Sequence, residues 1–348
     1  MASRGESRAA GGRLAGPVSS VGRLESRGIP RPRVVEIQRS RLLAAAIRAV
    51  DEIGYADTTI AQITGRARVS RRTFYELFDN REDCLAAALD DVADLLAGEL
   101  AAVNLAGLPW RERVRAGLWV ILRFLDREPV LARVCVVHAI AGGPVILARR
   151  EAVRARLVAI VDEGRSQEGD CATDCTELTA EGLVGAALAV IYGRLARGHR
   201  EPLAELLGEL MSVIVLPYQG AAAARREQRR PAPPVSSSDP PPRSMYDGRA
   251  AEDPLAGLPM RLTYRTARVL EGIAGNAGLS NRQVADCAGI ADQGQVSKLL
   301  ARLQRLGLLA NHGNGRIKGE PNAWELTAQG QLVTQSIRMH TPGKQQAA

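Results

Sequence analysis

Aromatic side chains are scarce in this chain: three Phe, three Trp and six Tyr among 348 residues. Folds that grip single-stranded nucleic acid stack bases on an exposed aromatic platform, and so few rings leave little to build one. Cysteine is rarer still, with five residues at positions 84, 135, 171, 175 and 287. An odd, scattered set makes no disulfide framework, and Cys171 and Cys175 lack the two-residue spacing of zinc knuckles and redox motifs. No secretory signal opens the sequence, so the expected compartment is a reducing cytoplasm. Long hydrophobic runs are missing as well. The best, Val134–Leu147, falls short of the ~20 residues a membrane span needs, contains His138 and is broken at Gly142-Gly143-Pro144. It reads as buried core, and no membrane partner is expected. Neither a phosphate-gripping Gly-rich loop nor a nucleophile motif occurs, and His, Asp and Glu form no spaced constellation. No catalytic residue, cofactor or metal is assigned, and an enzyme is not expected.

What the chain does have is positive charge, unevenly placed. Lys and Arg number 46 against 38 Asp and Glu, for a net charge of +8, which favours an anionic partner. Residues 1–34 hold seven Arg and two Glu with no apolar periodicity and read as a disordered basic arm. Residues 35–83 are neutral overall. Residues 84–219 carry 18 acids and 14 bases on long helical periodicities, an α-helical bundle. Residues 220–258 turn to Pro, Ala, Arg and Ser and read as a linker. Residues 259–340 regain apolar periodicity with ten basic and five acidic side chains, a second folded module, and 341–348 form a disordered tail.

The first module reads as three helices. Ile37, Leu42, Ala46, Ile47 and Val50 form one stripe from Val35 to Ile53, and Gly54 ends it. Thr59 and Gln62 have capping-box spacing for a second helix near Ile60, burying Ile63 and Ala67. Ser70 can cap a third, Arg71 to Phe78, that buries Phe74 and Phe78. Two short helices then meet across a tight turn, and the second presents Ser-Arg-Arg-Thr-Phe-Tyr, groups able to bond phosphates or base edges.

The run TTIAQITGRARVSRRTFYELFDNREDCL, residues 58–85, resembles the tetracycline-repressor (TetR) family of regulators. Position by position, the resemblance implies that Thr59 and Tyr75 meet phosphates, that Ser70, Arg71, Arg72 and Thr73 lie at the major groove, and that Arg81 touches the DNA backbone. Thr59 also has a purely structural reading as a helix cap, and Arg71 and Arg72 as solvated charges. Two departures stand out. Family members often have Gly where Arg68 and Arg72 stand, so this turn must tolerate a side chain, and Arg72 adds a donor to the reading helix.

In the bundle, residues 178–197 place Gly182, Gly185, Ala186, Ala189 and Gly193 on one face, which lets another helix approach closely, and residues 201–216 form an apolar helix up to Pro217. The resemblance makes these two helices a homodimer face; packing within one subunit is the alternative. Trp110, Trp119, Phe124, His138 and Tyr192 either line a small-molecule effector pocket or pack the core.

The second module repeats the logic: a helix from Leu262 to Ala274, a capping box at Ser280 and Gln283, a turn at Gly289, and a longer helix capped by Asp292 with Gln293, Gln295, Lys298 and Arg302 outside. A hairpin and a closing helix follow. VSKLLARLQRLGLL and the later ELTAQG resemble a MarR-type winged helix, which implies that Arg316 and Lys318 at the wing tip, together with the four outward residues, contact DNA. A solvated hairpin tip is the alternative.

The expected fold is mainly α: a TetR-like helix-turn-helix and helical bundle, then a linker and a winged helix with a small β-hairpin. The expected function is a ligand-responsive, homodimeric repressor that reads a palindrome in double-stranded DNA, with the winged helix on a flexible tether of roughly 35 Å. An architectural protein bridging DNA through four heads, or a winged helix that binds a protein, are the alternatives.

Overall fold

The computed structural model describes residues 31–103, 105–166, 175–198, 201–233, 261–313 and 321–339. The chain is mainly α: among the described residues, two short strands form the one sheet.

Helix α1 (Arg31–Asp57) is longer than its local stripe implies. It begins inside the segment assigned to the arm, because Val34 and Ile37, 1% and 2% exposed, pack into an apolar core built by residues beyond position 260. Periodicity over a short window carries no trace of so distant a partner. The straight part of α1 ends at Gly54, whose φ of 80° no other side chain adopts readily, and a single turn follows. Helices α2 (Ile60–Ala67), α3 (Arg71–Leu77) and α4 (Arg81–Ala102) start at side-chain caps on Thr59, Ser70 and Asn80. Leu42, Leu43, Ile47, Ile63, Phe74, Phe78 and Leu85 are buried together and join the four helices.

The bundle comprises α5 (Trp110–Arg127), the single turn α6 (Pro129–Ala132), α7 (Pro144–Asp162), α8 (Glu177–Ala196) and α9 (Leu207–Arg229). A π-helical turn at Arg133–Val137 and a 3-10 turn at His138–Ala141 join α6 to the start of α7. Burial pushes the thiols of Cys84 and Cys135 up to about 12, so neither is ionised at neutral pH.

The end of α9 corrects the sequence reading. Pro217 does not stop this helix; the chain passes it, bends at Gly220 (φ 77°) and continues to Arg229, into the stretch assigned to the linker. An ion pair holds the returning segment. Arg115 donates to Glu227 at 2.8 Å, the two side chains being 5% and 3% exposed, and its other terminal nitrogen donates to the carbonyls of Arg230 and Pro231. Gly208 admits the return, since a Cβ there would sit 2.9 Å from the Gln228 carbonyl oxygen. Composition assigned these arginines to a solvated tether, whereas Arg230 pairs with Glu112 at 2.7 Å.

The C-terminal module contains α10 (Tyr264–Gly275), α11 (Asn281–Ala288), α12 (Gln293–Arg305), β1 (Leu309–Asn311), β2 (Trp324–Leu326) and α13 (Ala328–Met339). Thr263 caps α10, two residues later than the apolar pattern indicated, because Leu262 is buried just ahead of the first turn. The strands pair antiparallel, with Leu309 opposite Leu326 and Asn311 opposite Trp324. Residues 1–30, 234–260 and 340–348, which hold most of the expected arm, linker and tail, lie outside the described residues.

Removing one partner of a buried ion pair strands the other charge away from water. Arg115→Ala is therefore expected to lower stability by about 3 kcal/mol, read as a reduced urea midpoint. A loss below about 0.5 kcal/mol would show that the returning end of α9 does not depend on this pair.

Candidate nucleic-acid interface

Two phenylalanines set the orientation of α3. Phe74 and Phe78 are 0% and 5% exposed and lie four residues apart, so they turn one face of this short helix into the core. The opposite face carries Arg71, Arg72 and Tyr75, all exposed, with Tyr75 at 59% and its ring edge-on to Phe74. These are the groups that the sequence placed at a groove. Ser70 and Thr73 have a second occupation: the Ser70 hydroxyl accepts from the Thr73 amide at 3.0 Å, and the two hydroxyls lie 2.8 Å apart. Thr59 likewise caps α2 in a reciprocal bond with Gln62, while staying exposed at the helix start. Arg72 pairs with Glu76 one turn on at 3.0 Å. A pair this exposed holds the guanidinium weakly, which leaves it free to exchange partners.

The turn between α2 and α3 rests on Arg68. Its φ of 52° and ψ of 39° place it in the left-handed region, and its amide donates to the carbonyls of Gly65 and Thr64 to close α2. Glycine adopts this conformation without steric cost, so the arginine adds strain at a tight turn.

Arg81 requires a correction. Expected at the DNA backbone, it donates instead to the carbonyls of Tyr55, Ala56 and Thr58 and lies over the Tyr55 ring at 4.7 Å. It ties the end of α1 to the start of α4, a task visible only once Gly54 has brought residues 55–58 round to it. Arg66 and Glu52 form a second tie, with contacts of 2.9 and 2.6 Å.

Three further contacts join this head to the bundle, and sequence reasoning missed all of them. Arg133 grips Asp51 with two bonds of 2.6 Å, Arg149 grips Asp90 at 2.7 and 2.8 Å, and Glu82 accepts from the Val145 amide at the start of α7. No local signal pairs an acid with an arginine sixty or eighty positions away.

In the second module Gln293, Lys298 and Arg302 are exposed on α12. Gln295 is not free to read bases: its amide oxygen accepts from Arg265 at 2.7 Å and its amide nitrogen donates to Asp292. The Gln295 backbone amide holds the Asp292 carboxyl below the usual carboxylate range, so this cap is charged at neutral pH and weakens only as acid protonates it. Asn281 organises the reading edge, another contribution that the sequence did not reveal. Its oxygen accepts from the Trp324 indole at 2.6 Å and from Asn322, and its nitrogen donates to Ser297 on α12. Arg316 and Lys318 lie outside the described residues.

The four pocket candidates do not converge. Phe124 is core, Trp119 is half-buried with Arg123 over its ring, His138 lies in the 3-10 turn, and Tyr192 is 39% exposed on α8. A cavity of about 140 Å³ is lined by Arg194, Glu201 and Glu209 among others, and by none of the four. The outer side of α8 and α9 is apolar and open. Leu178, Val190, Val213 and Leu216 are exposed, and a Cβ on Gly182 or Gly185 would meet nothing within 4 Å. By length and composition alone α8 and α9 could each cross a membrane, but they pack in the bundle against α7 and α5.

Residues 42–88 match the family described as bacterial regulatory proteins, tetR family. The stretch is the family's N-terminal helix-turn-helix, running from the middle of α1 into α4. The HTH-type transcriptional regulator HbdR of Aromatoleum sp. is 32% identical over 98 residues, 28% of this chain and 42% of that protein. An uncharacterised HTH-type transcriptional regulator of Mycobacterium tuberculosis is 27% identical over 119 residues, 34% of this chain and 54% of its own. The chain spans about half the length of the curated relatives it matches. Among solved structures, the regulator FadR from Bacillus subtilis in complex with stearoyl-CoA aligns with 52% of this chain and 97% of its own at 17% identity and a TM-score of 0.44. A TetR-like transcriptional regulator from Rhodococcus sp. RHA1 aligns with 51% and 94% at 25% identity and a TM-score of 0.41.

Strain in the turn of the tetR-type head is measurable. Arg68→Gly is expected to raise stability by about 1 kcal/mol and the thermal midpoint by about 2–4 °C. An unchanged or lower midpoint would show that the left-handed turn stores no strain.

Proposed function

We propose that this chain is a homodimeric, ligand-responsive transcriptional repressor that reads a palindromic operator with the N-terminal end of α3 and contacts flanking DNA with α12. The observation that carries the reading is the exposed Arg71, Arg72 and Tyr75 face of α3, held outward by buried Phe74 and Phe78 inside the stretch that matches the tetR family. Two arginines at the start of a helix can each bond bidentately to guanine, and a tyrosine hydroxyl nearby suits a phosphate. The basic exposed side of α12 supports a second contact of the same kind.

The open apolar side of α8 and α9 supports the dimer, since a second copy would cover Val213 and Leu216 on both subunits at once. A two-fold pair of α3 helices suits half-sites one helical turn apart, about 34–36 Å. A small molecule bound in the bundle would act through the ties from Asp51, Glu82 and Asp90 to the segment around α7, changing the separation of the two heads rather than their reading residues. Such a protein works in the cytoplasm, beside DNA.

Fluorescence anisotropy with labelled duplexes at fixed salt tests the reading residues. Arg72→Ala is expected to cost about 1–3 kcal/mol on a selected site and little on random DNA; equal losses on both would favour an architectural protein that bridges DNA without sequence preference. Sedimentation tests the dimer. The variant Val213→Glu with Leu216→Glu is expected to run as a folded monomer with helical content unchanged, and a persistent dimer would place the interface elsewhere.

A further inference from the structure

The most unexpected contact in the molecule joins its two ends. The first two turns of α1 belong to the C-terminal module: Val34 and Ile37 are buried among Leu262, Val269, Ile273 and Ile337, side chains of that module's core. Polar contacts flank the apolar pair. Gln38, itself 9% exposed, donates to the Leu262 carbonyl at 2.8 Å, and Arg33 donates to the Arg338 carbonyl near the end of α13. The same helix, further on, buries Leu42, Leu43, Ile47 and Val50 in the tetR-type head. One helix therefore serves two cores. Between Ile37 and Glu52, which holds Arg66 of α2, fifteen residues contain neither Gly nor Pro. At 1.5 Å per residue they form a strut of about 22 Å.

We infer that the C-terminal module is docked on α1, so that the two reading heads address DNA as one rigid unit and demand a fixed spacing between the palindrome and a flanking element. The inference rests on the DNA-reading role proposed above for both modules. It replaces the expected tether: position is set by the strut and not by the length of chain between Pro233 and Arg261. The interface is small, but its halves belong to one chain, and an effective concentration in the mM range lets a modest contact stay closed. Rigidity has a readable consequence. A flexible tether tolerates insertions between two elements, whereas a docked head is carried round the duplex by roughly 34° for each added base pair and loses its groove.

Two measurements on the full-length chain test this. Distances between spin labels placed at Ala61 on α2 and Ala301 on α12, both exposed, are expected to form one narrow distribution without DNA. The variant Val34→Asp with Ile37→Asp should broaden it, and Gln38→Ala, which adds no charge, should broaden it less. A broad distribution in the unaltered chain overturns the docking, whatever happens with DNA. The second measurement uses duplexes recovered by the full-length protein from a random library, with two or five base pairs inserted between palindrome and flank. Affinity should fall at least tenfold on insertion, and the double Asp variant should show no such dependence. Tolerance of insertions by the unaltered chain overturns the fixed spacing. A chain that recovers no duplex at all would refute the DNA-reading role, while the label distances would still decide the docking.

Discussion

Helix α1 is buried from both ends, and the rest of the molecule is arranged around that constraint. Its N-terminal turns complete one apolar core and its middle completes another. Full burial of side chains the size of Val34 and Ile37 is worth about 1.5–3 kcal/mol each relative to exposure, which offsets the cost of ordering four residues that composition alone would leave loose. A helix is stiff over such a length, so whatever is packed at one end keeps its place relative to the other. Within the head the same economy recurs on a smaller scale. Phe74 and Phe78 face the core and their neighbours Arg71, Arg72 and Tyr75 therefore cannot, which makes an exposed basic and aromatic face the by-product of a packed one.

Arginine fills several structural roles here. In the head, Arg81 closes the end of α1 and Arg66 ties α2 to it; in the bundle, Arg115 and Arg230 hold the return of α9, and Arg133 and Arg149 link bundle to head. The planar guanidinium suits these tasks because it bonds two acceptors in a fixed geometry. The cations left on the outward sides of α3 and α12 are those available to an anionic partner. Net charge therefore says less about the surface than it first suggests, since much of it is neutralised within the fold.

What the sequence disclosed was local. Thr59, Ser70, Ser280 and Asp292 were readable as caps because a capping residue and its partner lie within three positions, and Gly54 and Gly289 as turns because backbone conformation is a property of one residue. The exposed face of α3 followed from the spacing of two phenylalanines. What escaped was contact at long range. Arg81 was read as a ligand to DNA because its carbonyl partners come into reach only through the bend at Gly54, and residues 221–229 were read as linker because Glu227 is paired with an arginine more than a hundred positions earlier. Gln295 had a helix face in its favour, but Arg265 and Asp292 occupy its amide. The extra turns at the start of α1 depended on a core at the other end of the chain.

The central claim is that α3 lies in the major groove in two symmetry-related copies. Hydroxyl-radical footprinting of the full-length protein on a site recovered from random duplex tests it most directly. The account predicts two protected patches related by a two-fold axis, with centres about one helical turn apart, each lost with Arg71→Ala and Arg72→Ala combined. A single asymmetric patch, or protection that survives removal of both arginines, would contradict it.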